Sequence, residues 1–402
     1  MIGAALFFLP AVAAAVGDDF AACIDRLQAR ALQAGISEPV VRNVLGNASR
    51  LERVVELDRK QPEFTATFAD YLERRVTEER VARGRVLLEE HRVLLADAER
   101  RYGVPPHYLV AFWGLETNFG TYFGDIPVAD SLATLACDPR RGDFFAAELI
   151  TALKIVDAGD IESARMVGSW AGAMGHMQFL PSVFIRFAVD GDGDAKRDVW
   201  GSLPDVFASA GNFLRELGWE AGVRWGREVV LPASFDYLQA GPDERRPLAE
   251  WVSFGVTDAF RRPLPALELP ASILVPAGHD GPAFLVYDNF DVIMRWNRSE
   301  FYAVAVGHLA DRIAGAAPLQ RKLPADAPRV TVDEVRRLQA DLVSLGYEAG
   351  EPDGIPGPAT RKALRRFQAD RELVADGYVD PAVVAAVRDA TAAERPPQHP
   401  NL

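Results

Sequence analysis

Leu109-Val110-Ala111-Phe112-Trp113-Gly114-Leu115-Glu116-Thr117-Asn118-Phe119-Gly120 is the stretch on which the reading of this chain turns. Entered through Pro105 and Pro106, it reads as a helix, because proline suits a first helical turn. Leu109, Phe112, Trp113 and Glu116 then fall at i, i+3, i+4 and i+7, on one apolar face. A carboxyl group is thereby aimed at the core side. Burial disfavours its charged form, and the negative end of the helix dipole, if the helix stops near Phe119-Gly120, acts in the same direction. A carboxyl group kept protonated near neutral pH is a general acid. The competing reading is a glutamate at a helix end whose head reaches water past an apolar stem.

The surrounding chain is long enough to house such a site. Its 402 residues allow two or three domains, and 49% apolar with 25% charged residues is ordinary for a globular protein. A net charge of -13 argues against nucleic acid as the principal partner, since neutralising phosphates needs a basic face. The short groups Arg336-Arg337 and Arg361-Lys362-Ala363-Leu364-Arg365-Arg366 are balanced by nearby acids and read as solvated helix faces.

Residues 1–16 are almost wholly apolar and run into Ala13-Ala14-Ala15 before Gly17-Asp18-Asp19, the pattern of a secretory signal peptide, although no Lys or Arg precedes the apolar run. A stretch of about 15 apolar residues is short of the roughly 20 that a spanning helix needs. Export to the periplasm or cell envelope is therefore expected. An exported chain with two cysteines, Cys23 and Cys137, allows one disulfide, the alternative being two buried thiols.

Residues 20–100 are rich in Ala, Leu, Arg and Glu and read as helical, and 102–220 continue as helices between Gly-rich loops. From 222 to 286 the texture changes to short β-prone runs, Val229-Val230-Leu231, Trp251-Val252-Ser253-Phe254 and Ile273-Leu274-Val275, which suggests a small β-rich insertion. Helical character returns after Ser299, a candidate N-cap, and ends near Gly315. Three prolines in 318–328 mark an extended linker. A compact helical module follows, and then a Pro-rich tail.

A second informative stretch is Gly168-Ser169-Trp170-Ala171-Gly172-Ala173-Met174-Gly175-His176-Met177-Gln178-Phe179-Leu180-Pro181-Ser182. Small residues at alternate positions let a backbone approach a large ligand, and Ser169 and Gln178 offer polar groups to orient it. Tight packing through glycine is the plainer alternative. His176 reads as a loop or core histidine rather than a base.

Glu116-Thr117-Asn118-Phe119-Gly120, the Ser169 to Ser182 segment, and Arg295-Trp296-Asn297-Arg298-Ser299-Glu300-Phe301-Tyr302 occur in an order and spacing that resembles the lytic murein transglycosylase B family. The likeness covers roughly residues 20–315. It implies a mainly α, lysozyme-like catalytic core with a small β-containing subdomain, acting on the glycan strands of peptidoglycan. By position, Glu116 matches the family's catalytic acid, and Ser169, Gln178 and Asn297 match polar groups lining the site. Tyr302 and Trp296 fall where the family places aromatic residues, the latter usually tyrosine. After Asn212 the family usually has tyrosine; here Phe213 keeps a ring but loses the hydroxyl.

Most glycosidases use two carboxyl groups, whereas this motif set supplies Glu116 alone. One acid suffices if the substrate assists. The N-acetyl group of N-acetylmuramic acid (MurNAc) would stabilise C1 as the bond to N-acetylglucosamine breaks, and the C6 hydroxyl would then close a 1,6-anhydro ring. No cofactor is required for that chemistry. A hydrolytic muramidase and a catalytically silent wall-binding scaffold are the alternative readings.

Asp190-Gly191-Asp192-Gly193-Asp194-Ala195-Lys196 places acids at positions 1, 3 and 5 of an EF-hand-like loop, with the Lys196 carbonyl expected at position 7. Position 6 is Ala195 where glycine is usual, and no glutamate stands at position 12. The resemblance implies a variant loop whose last acid comes later, at Asp205. Structural calcium and a merely solvated loop are the two readings.

Val335-Arg336-Arg337-Leu338-Gln339, Asp353-Gly354-Ile355-Pro356-Gly357-Pro358-Ala359-Thr360, Phe367-Gln368 and Asp376-Gly377 together resemble the small three-helix peptidoglycan-binding domain. Leu338-Gln339 is echoed by Phe367-Gln368, and Asp353-Gly354 by Asp376-Gly377. The second repeat has Asp380-Pro381 where Gly-Pro is usual. The expected organisation is a leader over 1–16, a catalytic domain over 17–317 with its insertion at about 222–286, a linker over 318–330, a wall-binding module over 331–390 and a tail over 391–402. Peptidoglycan strands are the expected partner of a monomer; envelope protein partners are left open.

Overall fold

The structure, a computed structural model, describes residues 11–60, 66–324 and 328–394. Of the apolar leader, residues 1–10 lie outside the described residues, as does the tail from 395, and for 11–18 only a helical backbone is described. No described helix is long and apolar enough to cross a membrane.

In chain order the first helices are α1 (Ala11–Gln33), α2 (Glu38–Leu45), α3 (Glu52–Lys60), α4 (Phe68–Arg75), α5 (Glu78–Glu90), α6 (Arg92–Tyr102) and α7 (Pro106–Thr117). Then come β1 (Ile126–Pro127), α8 (Val128–Ala136), α9 (Gly142–Asp157), β2 (Val167–Gly168), α10 (Pro181–Phe187) and α11 (Leu203–Glu216). The insertion holds β3 (Gly226–Val230), β4 (Arg246–Pro247), α12 (Leu248–Ser253), β5 (Thr257–Asp258), β6 (Pro270–Leu274) and β7 (Ala283–Val286). It is followed by α13 (Asp288–Trp296), α14 (Glu300–Ile313), α15 (Val332–Ser344), α16 (Pro358–Asp370) and α17 (Pro381–Glu394). Local chemistry sets several of these starts. The hydroxyls of Thr67, Thr77 and Ser299 each accept the N–H three residues on, and Thr331 and Glu334 form a reciprocal capping box.

The chain forms two compact units. One comprises Met1–Gln61 and Phe112–Phe213, the other Pro62–Ala111 and Leu214–Leu402. In the first, α9 packs on α8 and α10, and α1 and α2 pack on α9. The α1 helix is joined to the end of α8 by the Cys23–Cys137 disulfide, which closes a separation of 114 residues. Asp58 sits 3% exposed beneath Arg140 and Arg141, both of which pair with it.

The second unit carries an antiparallel five-stranded sheet in the order β4-β6-β7-β3-β5. Trp251, Ile273, Leu285 and Tyr287 form its core. Two expectations are corrected here. Trp251-Val252-Ser253 is helical: Pro247 opens α12, Leu248 and Trp251 are buried one turn apart, and the indole N–H donates to the carbonyl of Ala271 at 3.0 Å. Helical structure also returns earlier than Ser299, at α13, where buried Asn289 bonds the backbone of Glu220 and Val223.

The α15–α17 module explains its own repeat. The Gln339 amide accepts the Gly354 N–H at 2.8 Å and donates to Asp353 at 2.9 Å, while Gln368 accepts Gly377 N–H at 2.7 Å and donates to Asp376 at 3.0 Å. Each helix glutamine thus pins the Asp-Gly turn that follows it. Where Gly-Pro is replaced by Asp380-Pro381, the Asp380 carboxylate accepts the Val383 N–H at 2.8 Å and caps α17.

The linker is not free along its whole length. Glu228 on β3 accepts the N–H groups of Gln320 and Arg321 at 2.8 and 2.7 Å, and Arg321 reaches the carbonyls of His279 and Asp280. The module beyond is docked on the insertion and on α14: Asp376 binds the His279 backbone and ring at 2.9 and 2.7 Å, and Arg361 pairs with Glu300 at 3.0 Å.

Candidate active site

The α7 helix is buried nearly all round. Tyr108, Leu109, Val110, Ala111, Phe112, Trp113 and Leu115 are each 5% exposed or less, so the single apolar face expected from periodicity is corrected to a central helix. Glu116, in its last turn, is half-buried. The helix ends at Thr117, and Asn118, Phe119 and Gly120 follow with φ of 49°, 60° and 74°. Two of these three left-handed residues carry a Cβ, a conformation costing about 1 kcal/mol or more each, which persists only where its surroundings enforce it.

The enforcing contacts are visible. The Thr117 hydroxyl accepts the Gly120 N–H at 3.0 Å and donates to the His176 carbonyl at 2.9 Å. The Trp113 indole N–H donates to His176 Nδ1 at 2.8 Å, so the imidazole carries its proton on Nε2 when neutral. Burial depresses the His176 pKa to about 4, which keeps it neutral and structural at pH 7, in line with the sequence reading. A Cβ on Gly120 would stand 2.3 Å from His176 Cε1, so this position admits glycine on two counts, space and φ.

The 168–182 segment packs against this turn. Strands β1 and β2 pair Ile126 with Gly168, and Gln178, itself at φ 48°, donates its amide N–H groups to the carbonyls of Phe123 and Gly175, both at 3.1 Å. With its NH2 spent on the backbone, Gln178 has its carbonyl oxygen left as an acceptor. The half-buried Ser169 hydroxyl accepts the Ala173 N–H at 3.1 Å and retains its own proton as a donor. The glycines serve packing rather than ligand approach. A Cβ on Gly168 would meet the Ala173 carbonyl at 2.2 Å, one on Gly172 the Leu132 side chain at 2.5 Å, and one on Gly175 the Val199 carbonyl at 2.7 Å.

Phe213, at the end of α11, is 7% exposed. Its ring stacks on Phe187 at 4.6 Å and meets the edge of Phe179 at 5.5 Å. Through Phe179 it packs against the segment carrying Gln178. Asn297, Trp296 and Tyr302 belong to the other unit, at the corner between α13 and α14. Trp296 is half-buried, Asn297 is exposed, and Tyr302 is 5% exposed with its N–H on the Ser299 hydroxyl. Sequence reasoning missed the Trp113–His176–Thr117 clamp. Its one visible signal was Thr-Asn-Phe-Gly after a helix, a composition suited to left-handed backbone.

In the acidic loop, carboxylate oxygens of Asp190, Asp192 and Asp194 lie within 4.8 Å of one another. Asp190 accepts the N–H groups of Gly193 and Ala195 at 2.6 and 2.8 Å, and these bonds hold its carboxyl below the usual range. Lys196 donates its N–H to Asp194 at 2.9 Å. Ala195 takes φ 69°, the left-handed turn that glycine would make without strain. Asp205, 1% exposed, stands outside the three-acid cluster; its oxygens accept the N–H groups of Gly191 and Asp198, both at 2.7 Å. Burial raises its pKa.

Comparison with known proteins fits this geometry. Residues 19–311 match the transglycosylase SLT domain family, and residues 331–387 match the putative peptidoglycan binding domain family. Membrane-bound lytic murein transglycosylase B of Escherichia coli (strain K12) is 29% identical over 290 residues, covering 70% of this chain and 79% of that protein. The crystal structure of SltB3 from Pseudomonas aeruginosa in complex with NAG-anhNAM-pentapeptide superposes with a TM-score of 0.88 at 42% identity, over 92% of this chain and 99% of that one. The Escherichia coli lytic transglycosylase Slt35 in complex with calcium gives a TM-score of 0.62 at 29% identity, over 74% and 92%. The buried α7 helix ending in Glu116, the segment clamped to its end and the three-helix module therefore belong to one known set: the chain is a member of the SLT-domain lytic transglycosylases, with a C-terminal peptidoglycan-binding domain.

Proposed function

We propose that Glu116 is the single acid–base group of a non-hydrolytic cleavage of the MurNAc–GlcNAc bond. The observation that carries this is its place: one carboxyl group ends a buried helix, at a turn locked by Thr117, Trp113 and His176. As acid, Glu116 protonates the leaving oxygen while the substrate's N-acetyl group stabilises C1. Then ionised, it takes the proton of the same sugar's C6 hydroxyl as that oxygen attacks C1. A 1,6-anhydroMurNAc end forms and no water is consumed. Ser169 and the Gln178 carbonyl oxygen are suited to hold the N-acetyl group or the C6 hydroxyl. The resemblance in the Arg295 to Tyr302 stretch supports Asn297, Trp296 and Tyr302 as further substrate-binding residues. Mass spectrometry of fragments from purified peptidoglycan tests the reading: ends one water lighter than hydrolysis products are expected. Hydrated ends would make the enzyme a muramidase, and no release with intact binding would make it a scaffold.

The Asp190–Asp192–Asp194 loop fits a calcium ion, because three converging carboxylates repel one another without a cation. Calcium would be held by these three and the Lys196 carbonyl and would stiffen the loop, leaving the chemistry to Glu116. Asp205 holds the loop's backbone in place. Millimolar calcium is expected to raise the melting temperature of the chelated protein, and Asp192→Asn to abolish that rise; an unchanged melting curve on calcium addition would show a solvated loop.

Action in the cell envelope after export follows from the substrate, the leader-like residues 1–16 and the disulfide, since such bonds persist in oxidising compartments. Isolation of the native protein with both thiols reduced would remove that support.

A further inference from the structure

The C-terminal module meets the β-rich insertion around a small cavity lined in part by Gly241, Leu274, Glu300, Arg361, Arg365 and Asp376. Arg365, on α16, is 8% exposed; among the described residues its guanidinium makes no hydrogen bond and no ion pair, and its nitrogens, not fully buried, open onto the cavity. Two glycines clear the space around it. A Cβ on Gly241 would stand 2.7 Å from Nη2 and one on Gly377 3.0 Å from Nη1.

The nearby carboxylates are engaged elsewhere. Glu300 is bonded to Arg361 at 3.0 Å. Asp376 Oδ1 accepts from Gln368 and from the Tyr378 N–H at 3.0 and 2.9 Å, and Oδ2 faces the His279 N–H and ring at 2.9 and 2.7 Å. Glu300, Glu244 and Asp376 act on Arg365 only through space, while burial and then the neighbouring Arg361 oppose its charge. A buried cation left in this state is costly, and a guanidinium fork matches a carboxylate in plane and spacing. The cavity, about 20 Å³, admits one carboxylate head and no sugar ring.

We propose that the Arg361–Arg365 cavity is an anion site that takes a free carboxylate, the one ending the peptide carried by the wall polymer. This rests on the peptidoglycan reading of the active site and adds to it a peptide-end reader in the wall-binding module. The shared chemistry, a small oxyanion, could also be met by a free anion, so the test separates the two sources.

Isothermal titration of the full chain with N-acetylmuramyl-pentapeptide, which has no bond to cleave, is compared with its C-terminal amide and with sodium acetate. The acid is expected to bind at least about tenfold more tightly than the amide. Arg365→Gln is expected to erase that difference, and Arg365→Lys, which keeps the charge but loses the fork, to reduce it. Equal affinity of acid and amide for the wild-type protein overturns the proposal without relying on any variant. Acetate binding with no acid–amide difference overturns it too, and marks a site for free anions only. Fragment release from purified peptidoglycan by the same wild-type sample keeps the two readings apart. Release with equal affinities removes the carboxylate site alone, whereas no release removes the proposed activity.

Discussion

Glu116→Gln is expected to lower the rate of glycan cleavage by about 10⁴-fold, at the upper end of what general acid–base catalysis contributes, because in the proposed mechanism one residue serves both proton transfers. The substitution keeps size and shape, so the turn built on Thr117 and His176 should remain intact. Binding of the variant to insoluble peptidoglycan should match that of the wild type. Fragment release followed alongside pull-down checks both halves. A Glu116→Gln variant that still releases fragments at a comparable rate would sink the assignment of Glu116.

Opening the Cys23–Cys137 disulfide has the next largest expected effect, a loss of about 4–5 kcal/mol from the unit that contains it. The estimate is the loop-closure entropy of a bridge spanning 114 residues. Urea denaturation of the oxidised protein against a reduced and alkylated sample, or against Cys23→Ser, reads it as a lower midpoint. The signal should follow residues of that unit, such as Trp113 and Trp200, by fluorescence. Coincident midpoints would mean that packing of α1 on α2 and α9 holds the chain ends together without the bridge.

What could be read from sequence followed from how local each feature is. The α7 helix was legible from its prolines and spacing, and the glutamine and Asp-Gly echoes were legible because each repeat is closed by contacts within 15 residues. The burial of α7 on nearly all sides was not, because periodicity reports one helix face and says nothing of the segments that cover the others. Trp251-Val252-Ser253 looked like a strand from β-branched and aromatic content. Packing of Trp251 on Ala271, 20 residues away, overrode that propensity. The glycines of 168–175 illustrate a further limit: a small residue signals close approach, but only the fold says that the approaching group is Ala173, Leu132 or Val199. Phe213 was legible as a ring and not as one already enclosed by Phe179 and Phe187. Asp380-Pro381 was legible only as a departure from Gly-Pro, and the Asp380 carboxylate proves to be a cap.

The interleaving of the two units has a consequence for how the protein comes to exist. Residues up to Gln61 belong with Phe112–Phe213, so the first stretch off the ribosome cannot complete its unit until the segment around Cys137 has emerged. At about 5–20 residues per second, the separation of 114 residues from Cys23 to Cys137 takes roughly 6–23 s to make, during which Cys23 has no native partner. Neither unit can be cut out as one continuous fragment, because Pro62–Ala111 finds its companions only after Leu214. The order of synthesis and the order of assembly are therefore different, and the amino-terminal helices must wait, unpaired, for the half of the chain that carries Glu116.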